Sequence, residues 1–162
     1  MRCGPALALC ACGKGEEQTG DLRAADFTIP PGLWLEYAPL GDPDGAGRML
    51  EATGGTWELR SGAAEWESGS PIEAFAVELT PDLKVGDDTL LPARVRAGER
   101  IDGAQVVSVE AWETWYGTFE VAAEVEVDAG RWQGTQAFAL GFGLVTFTLD
   151  GEIWDLRYYE RP

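Results

Sequence analysis

Thr118-Phe119-Glu120-Val121-Ala122-Ala123-Glu124-Val125-Glu126-Val127 decides the fold class of this chain. Side chains alternate across an extended strand. Phe119, Val121, Ala123, Val125 and Val127 therefore share one face, and Thr118, Glu120, Ala122, Glu124 and Glu126 share the other. One buried face and one wetted face make the pattern of an antiparallel sheet with a solvated side. Asp128-Ala129-Gly130 then turns the chain into a further strand over residues 131–140. Beyond it, runs at 144–149 and 152–159 flank Asp150-Gly151. Asp-Gly between two such runs is a strong hairpin signal, because both positions tolerate the positive φ of a type I′ turn.

The same period of two extends toward the N-terminus. Strands are expected at 33–39, 48–52, 56–60, 72–79 and 104–112, with a short one near 90–94. Thr53-Gly54-Gly55 supplies another hairpin turn. No segment has the periodicity of a long amphipathic helix. The expected fold is all-β and mainly antiparallel. It is one curved sheet or half-open barrel of about eight or nine meandering strands, with few or no helices. A chain of 162 residues accommodates one such domain with a sizeable core.

The N-terminus carries a separate signal. All three cysteines, Cys3, Cys10 and Cys12, fall in the first dozen residues, which is not the spacing of a disulfide framework. Arg2 precedes an apolar stretch from Pro5 to Ala11, as in a short secretory signal peptide. Leu9-Cys10-Ala11-Cys12 resembles the bacterial lipobox, in which the last cysteine is lipidated and becomes the first mature residue. The resemblance implies a signal peptide over 1–11, a lipidated Cys12 opening a polar tether over 12–26, and a β domain over 27–162. It also implies an exported protein held to a membrane by acyl chains on Cys12. Gly13 rather than Asp follows the cysteine; by resemblance to Gram-negative lipoproteins this implies outer-membrane delivery in such a host.

Charge excludes several functions. Twelve Lys and Arg face 28 Asp and Glu, a net charge of −16, which repels phosphate backbones and argues against nucleic-acid binding. The chain has no histidine, which removes His-based triads, general bases and metal ligands together. No cofactor, metal or catalytic residue is expected. Glu65/Glu67 and Glu124/Glu126 lie two apart on strand faces, where solvation accounts for them better than glycoside hydrolysis. Asp42-Pro43-Asp44-Gly45-Ala46-Gly47 starts like a calcium loop, but Ala46 and Thr53 stand where ligands are required. Gly141-Phe142-Gly143 lacks the third glycine and the helix of a phosphate loop.

Seven tryptophans are many for this length. They either fill the core or line an apolar cavity. Trp34, Trp112, Phe138 and Trp154 are the candidate lining residues. In the last strand, Trp154, Leu156 and Tyr158 are expected on one face, and Ile153, Asp155, Arg157 and Tyr159 on the other.

Gly117-Thr118-Phe119-Glu120-Val121-Ala122 and the later stretch from Phe138 to Tyr159 resemble a loose group of bacterial lipoproteins and secreted proteins. Its expected architecture is related to the half-barrel of the LolA/LolB lipoprotein carriers. The carriers close their barrel mouth with helices, for which this chain has no matching periodic segment. The resemblance implies no catalytic residues. The function expected is non-enzymatic binding, of a lipid or other apolar ligand in the concave sheet or of another envelope protein. The alternative is a structural or interaction module whose interior is filled by its own side chains.

Overall fold

Tight turns set the order of the sheet. Gly54-Gly55 (φ 50° and 86°) and Asp150-Gly151 (φ 52° and 84°) take positive φ at both positions, the type I′ geometry that suits twisted strands. The computed structural model describes residues 22–62 and 70–161. Cys12, the lipobox, Trp66 and the Glu65/Glu67 pair lie outside those residues.

Twelve strands form one antiparallel sheet. They are β1 (Trp34–Pro39), β2 (Gly47–Thr53), β3 (Thr56–Gly62), β4 (Pro71–Leu79), β5 (Leu83–Val85) and β6 (Asp88–Leu91), followed by β7 (Arg100–Ile101), β8 (Ala104–Glu113), β9 (Thr118–Val127), β10 (Gly134–Ala139), β11 (Gly143–Leu149) and β12 (Glu152–Glu160). The expectation of eight or nine strands is corrected to twelve. β5 and β7 are three and two residues long, too short for alternation to register. Outside the sheet, among the described residues, one 3₁₀ turn spans Ala24–Phe27.

The spatial order is β6-β5-β4-β3-β2-β1-β12-β11-β10-β9-β8-β7. Every neighbour follows in sequence except β1 and β12, so the first and last strands meet at the centre of the sheet. Two meandering wings curl from that junction until the sheet is nearly closed into a barrel. Side chains rather than ladder bonds span the remaining gap. The Thr89 hydroxyl on β6 donates to Asp102 beyond β7 at 3.0 Å, and the Trp132 N–H donates to Asp88 at 3.4 Å.

Bulges redirect the faces. One lies opposite Glu36/Tyr37 and leaves Arg157 as the extra residue of β12. This corrects the expected alternation of the last strand. Beyond the bulge Tyr158 turns out, 48% exposed, and Tyr159 packs against the core, because one extra residue reverses the faces. The Arg157 guanidinium binds the Glu36 carboxylate at 2.6 Å and the carbonyls of Pro43 and Gly45 at 2.8 and 2.9 Å. The carbonyls of the calcium-like turn are thus taken by a guanidinium.

Aromatic rings occupy the interior in one connected chain. Tyr37 meets Phe147 edge-on at 4.7 Å, and Phe147 stacks on Trp154 at 6.4 Å. Trp132 touches Phe147, Phe75 and Trp57 at 5.8, 5.3 and 6.2 Å. The Tyr37 hydroxyl donates to the Leu144 carbonyl at 2.8 Å, and burial pushes that phenol well above its ordinary pKa.

One end of the barrel holds the start of β1, the end of β12 and the β2–β3, β8–β9 and β10–β11 turns. The chain enters at this end and fills it. Ala24, Phe27 and Leu33 are fully buried and Ile29 nearly so. Ala24 N–H donates to Ala93 and Val95 N–H to Leu22 at 2.9 and 3.0 Å, and Gly141 N–H donates to Asp26 at 2.8 Å. Residues 22–26, at the end of the expected tether, are therefore part of the packed fold. The apolar Leu22 and Ala24 alternate with polar neighbours too briefly to signal a strand. Gly143 (φ 107°) seats the segment, since a Cβ there would stand 2.9 Å from the Ile29 backbone. Gly143→Ala should lower stability by more than about 1 kcal/mol, through both the φ and the clash. Chemical denaturation checks this, with Gly32→Ala, which meets no neighbour, separating strain from collision.

Candidate functional site

The β8–β9 turn combines backbone economy with exposed rings. Thr114 and Gly117 close it, with the Thr114 N–H and hydroxyl both donating to the Gly117 carbonyl at 2.8 and 2.9 Å. The tip leans on β12. Trp115 N–H donates to Asp155 Oδ2 at 3.0 Å, and Tyr116 N–H donates to the Leu156 carbonyl at 2.9 Å, beside the Arg157 bulge. This leaves Trp115 and Tyr116 side chains 44% and 46% exposed.

Tyr116 is one of four rings that close a cycle. Tyr116–Phe119, Phe119–Phe142, Phe142–Tyr159 and Tyr159–Tyr116 lie 6.1, 4.9, 4.8 and 4.9 Å apart. A hydrogen bond with Tyr159 raises the Tyr116 phenol above its ordinary pKa. Leu140, 41% exposed, is fixed beside the cycle by its N–H bond to Val121 at 2.9 Å. Sequence reasoning missed this cluster. Trp115-Tyr116, two large aromatics in a tight turn, was the available signal, since turns favour small and polar residues.

A buried carboxylate anchors the same tip. Asp155 on β12 is 5% exposed and faces Thr146 across the β11–β12 ladder. The Thr146 hydroxyl donates to Asp155 Oδ1 at 2.5 Å and accepts from Trp112 Nε1 at 2.8 Å. Burial raises the Asp155 pKa, and the bonds from Thr146 and Trp115 partly offset it. Both carboxylate oxygens are engaged, which ties the tip to β12.

The four proposed lining residues do not converge. Phe138 is fully buried in the core. Trp154, 6% exposed, lies between Phe147 and the Arg48 guanidinium, 4.7 Å over its ring. Trp112 spends its N–H on Thr146. Trp34 opens β1, half-buried between Glu51 and Glu160 on the neighbouring strands.

Three clefts bordered by described residues contain none of the four. The first, about 790 Å³, runs along Gly130, Arg131, Thr135, Asp150 and Ile153. The second, about 430 Å³, has Glu73, Phe75, Asp88, Arg131 and Trp132 among its walls. The third, about 230 Å³, lies between Ile29, Pro31, Gly54, Trp57 and Leu83. Arg131 separates the first two and is doubly paired, to Glu73 at 2.5 Å and to Asp150 at 2.8 Å. It holds the Asp150 carboxyl below its ordinary pKa. That clamp ties β4 to two turns of the opposite wing and leaves no unpaired cation for an anionic ligand there. Among the described residues, no three His, Cys, Asp or Glu side chains are grouped to hold a metal ion.

Comparison with known proteins adds no relative: no family model, no curated protein and no solved structure matches this chain.

Proposed function

We propose that this chain is a lipid-anchored, non-enzymatic protein of the cell envelope, tethered by acyl chains on Cys12, whose β domain works as a binding and interaction module. The observation that carries the reading of the domain is the aromatic chain Tyr37–Phe147–Trp132–Phe75, in ring-to-ring contact through the interior. A ligand-carrying barrel keeps its lumen open; these rings occupy the space that a lipid would need. Recognition then falls to the outer surface, and this favours the interaction module over a ligand held in the concave sheet. A carboxylate hydrolase finds little support, because Asp155 has both oxygens engaged.

The anchor is tested on the whole chain produced in a bacterial host. Labelled palmitate should enter the wild type and be lost from Cys12→Ser, because stable attachment requires acylation at that thiol. Equal labelling of both would remove the anchor. Native mass spectrometry of the membrane-extracted protein tests the domain. A co-purifying envelope protein is the expected result, and a stoichiometric small lipid would restore the internal-ligand alternative.

A further inference from the structure

We infer that the end of the barrel at which the chain enters is the face that rests on the lipid bilayer, with Trp115, Tyr116, Leu140 and Tyr158 in the interfacial layer. The inference rests on the anchoring proposed above and adds an orientation to it. Nine residues lie between Cys12 and Leu22, ten Cα-to-Cα steps that span at most about 36 Å even when fully extended. Leu22 is tied to Val95, and Asp26 to Gly141 in the β10–β11 turn. From Leu22 the described chain runs along residues 93–95, in the connection between β6 and β7, to Asp26 at the end that carries the aromatic cluster, and a tether of that length lets this end face the bilayer.

Among the described residues, five of the nine exposed large hydrophobic side chains lie at this end, while Leu40, Ile72 and Ile153 lie at the opposite one and Val107 lies within β8. Leu79, Trp115, Tyr116, Leu140 and Tyr158 are each at least 37% exposed and lie at the ends of β4, β8, β10 and β12 or in their turns. The three exposed large aromatics of the described residues are among them. Trp and Tyr favour the bilayer interface, where an apolar ring meets hydrocarbon while its N–H or O–H stays with water and headgroups. The cycle of Tyr116, Phe119, Phe142 and Tyr159 holds the exposed rings on a rigid base. Arg23 and Arg94 pair backbone to backbone in the segment that leads to this end and stand exposed. Glu113 and Glu160 at the same end oppose them, so the rings rather than charge carry the contact.

The test uses the acylated full chain in vesicles of phosphatidylethanolamine and phosphatidylglycerol, with phosphatidylcholine brominated near the headgroup end of its acyl chains. Tryptophan emission should be quenched, and Trp115→Phe should abolish most of that quenching while leaving the melting temperature unchanged. A chain that takes palmitate and floats with vesicles, yet is not quenched, or is quenched equally in Trp115→Phe, overturns the orientation and leaves the anchor standing. A chain that neither takes palmitate nor floats overturns the anchor, and the orientation with it. Absent quenching together with a dimer disrupted by Trp115→Ser would assign the face to a second copy of the chain.

Discussion

Replacing Trp132 with alanine should cost the domain about 3–5 kcal/mol, the range for removing a large aromatic from a packed interior. The indole is 2% exposed and is the ring at which the two wings meet. It touches Trp57 and Phe75 from β3 and β4, and Phe147 from β11. Deleting it leaves a cavity against three rigid rings, which are poorly placed to collapse into the gap. The melting temperature should fall by roughly 10 °C or more. Trp115→Ala is the matched comparison, because its side chain is 44% exposed and such changes usually stay within about 0.5 kcal/mol. The measurement is thermal unfolding followed by circular dichroism on both variants. Equal shifts would mean that the interior is not organised around Trp132, and an open lumen would again become the better account of the barrel.

The same residue shows where reading the chain stops. Alternation placed the strand at 118–127 to the residue, and Asp150-Gly151 and Gly54-Gly55 gave the turns with the expected signs of φ. These are local properties, written in consecutive side chains. The expected strand over 131–140 is corrected to β10 at Gly134–Ala139, which leaves Trp132 in the turn before it, and nothing nearby in sequence says that it crosses to β3 and β4. The choice between a filled and an open interior was therefore left to contacts far apart in the chain. The Arg157 bulge was hidden for a related reason. Residues 152–160 alternate well enough for a regular strand, and the extra residue exists only relative to its partner β1. Trp34, Trp112, Phe138 and Trp154 were chosen for aromatic character on plausible faces. Face and aromaticity do not report whether the space in front of a ring is vacant.

Closure of the barrel is likewise a long-range property. Meandering order follows from short turns, but the meeting of β1 with β12 joins residues more than a hundred positions apart, as Glu36 and Arg157 do. Through β5 one wing carries β6 to the flank of β8 and β9, while β7 pairs with the start of β8. Neither strand carries a signal by itself, yet without them the half-open barrel of the sequence reading would be the natural end state.

Asp155 is expected to give the clearest pH signature in the domain. Its oxygens accept from the Thr146 hydroxyl and the Trp115 N–H, so Asp155→Ala strands two donors at a site that is 5% exposed in the wild type. Unsatisfied buried donors cost about 1–3 kcal/mol each, and a loss of about 2–4 kcal/mol is expected. Release of the β8–β9 tip should accompany it, seen as a red shift in the emission of Trp112 and Trp115. Asp155→Asn separates charge from shape, because its amide oxygen still accepts from Thr146. Burial raises the folded pKa of Asp155 above its ordinary 3.8, so the folded state holds that proton more tightly than the unfolded state does. Stability contributed by this group is fully present below the ordinary carboxylate pKa and is lost as pH rises through the raised folded value. The wild type should therefore lose stability relative to Asp155→Asn as pH climbs from 3.8 toward neutrality. Paired denaturation curves at steps across that window measure the difference. A gap between the two proteins that stays constant with pH would show that folding does not raise the pKa of Asp155, and would overturn this expectation.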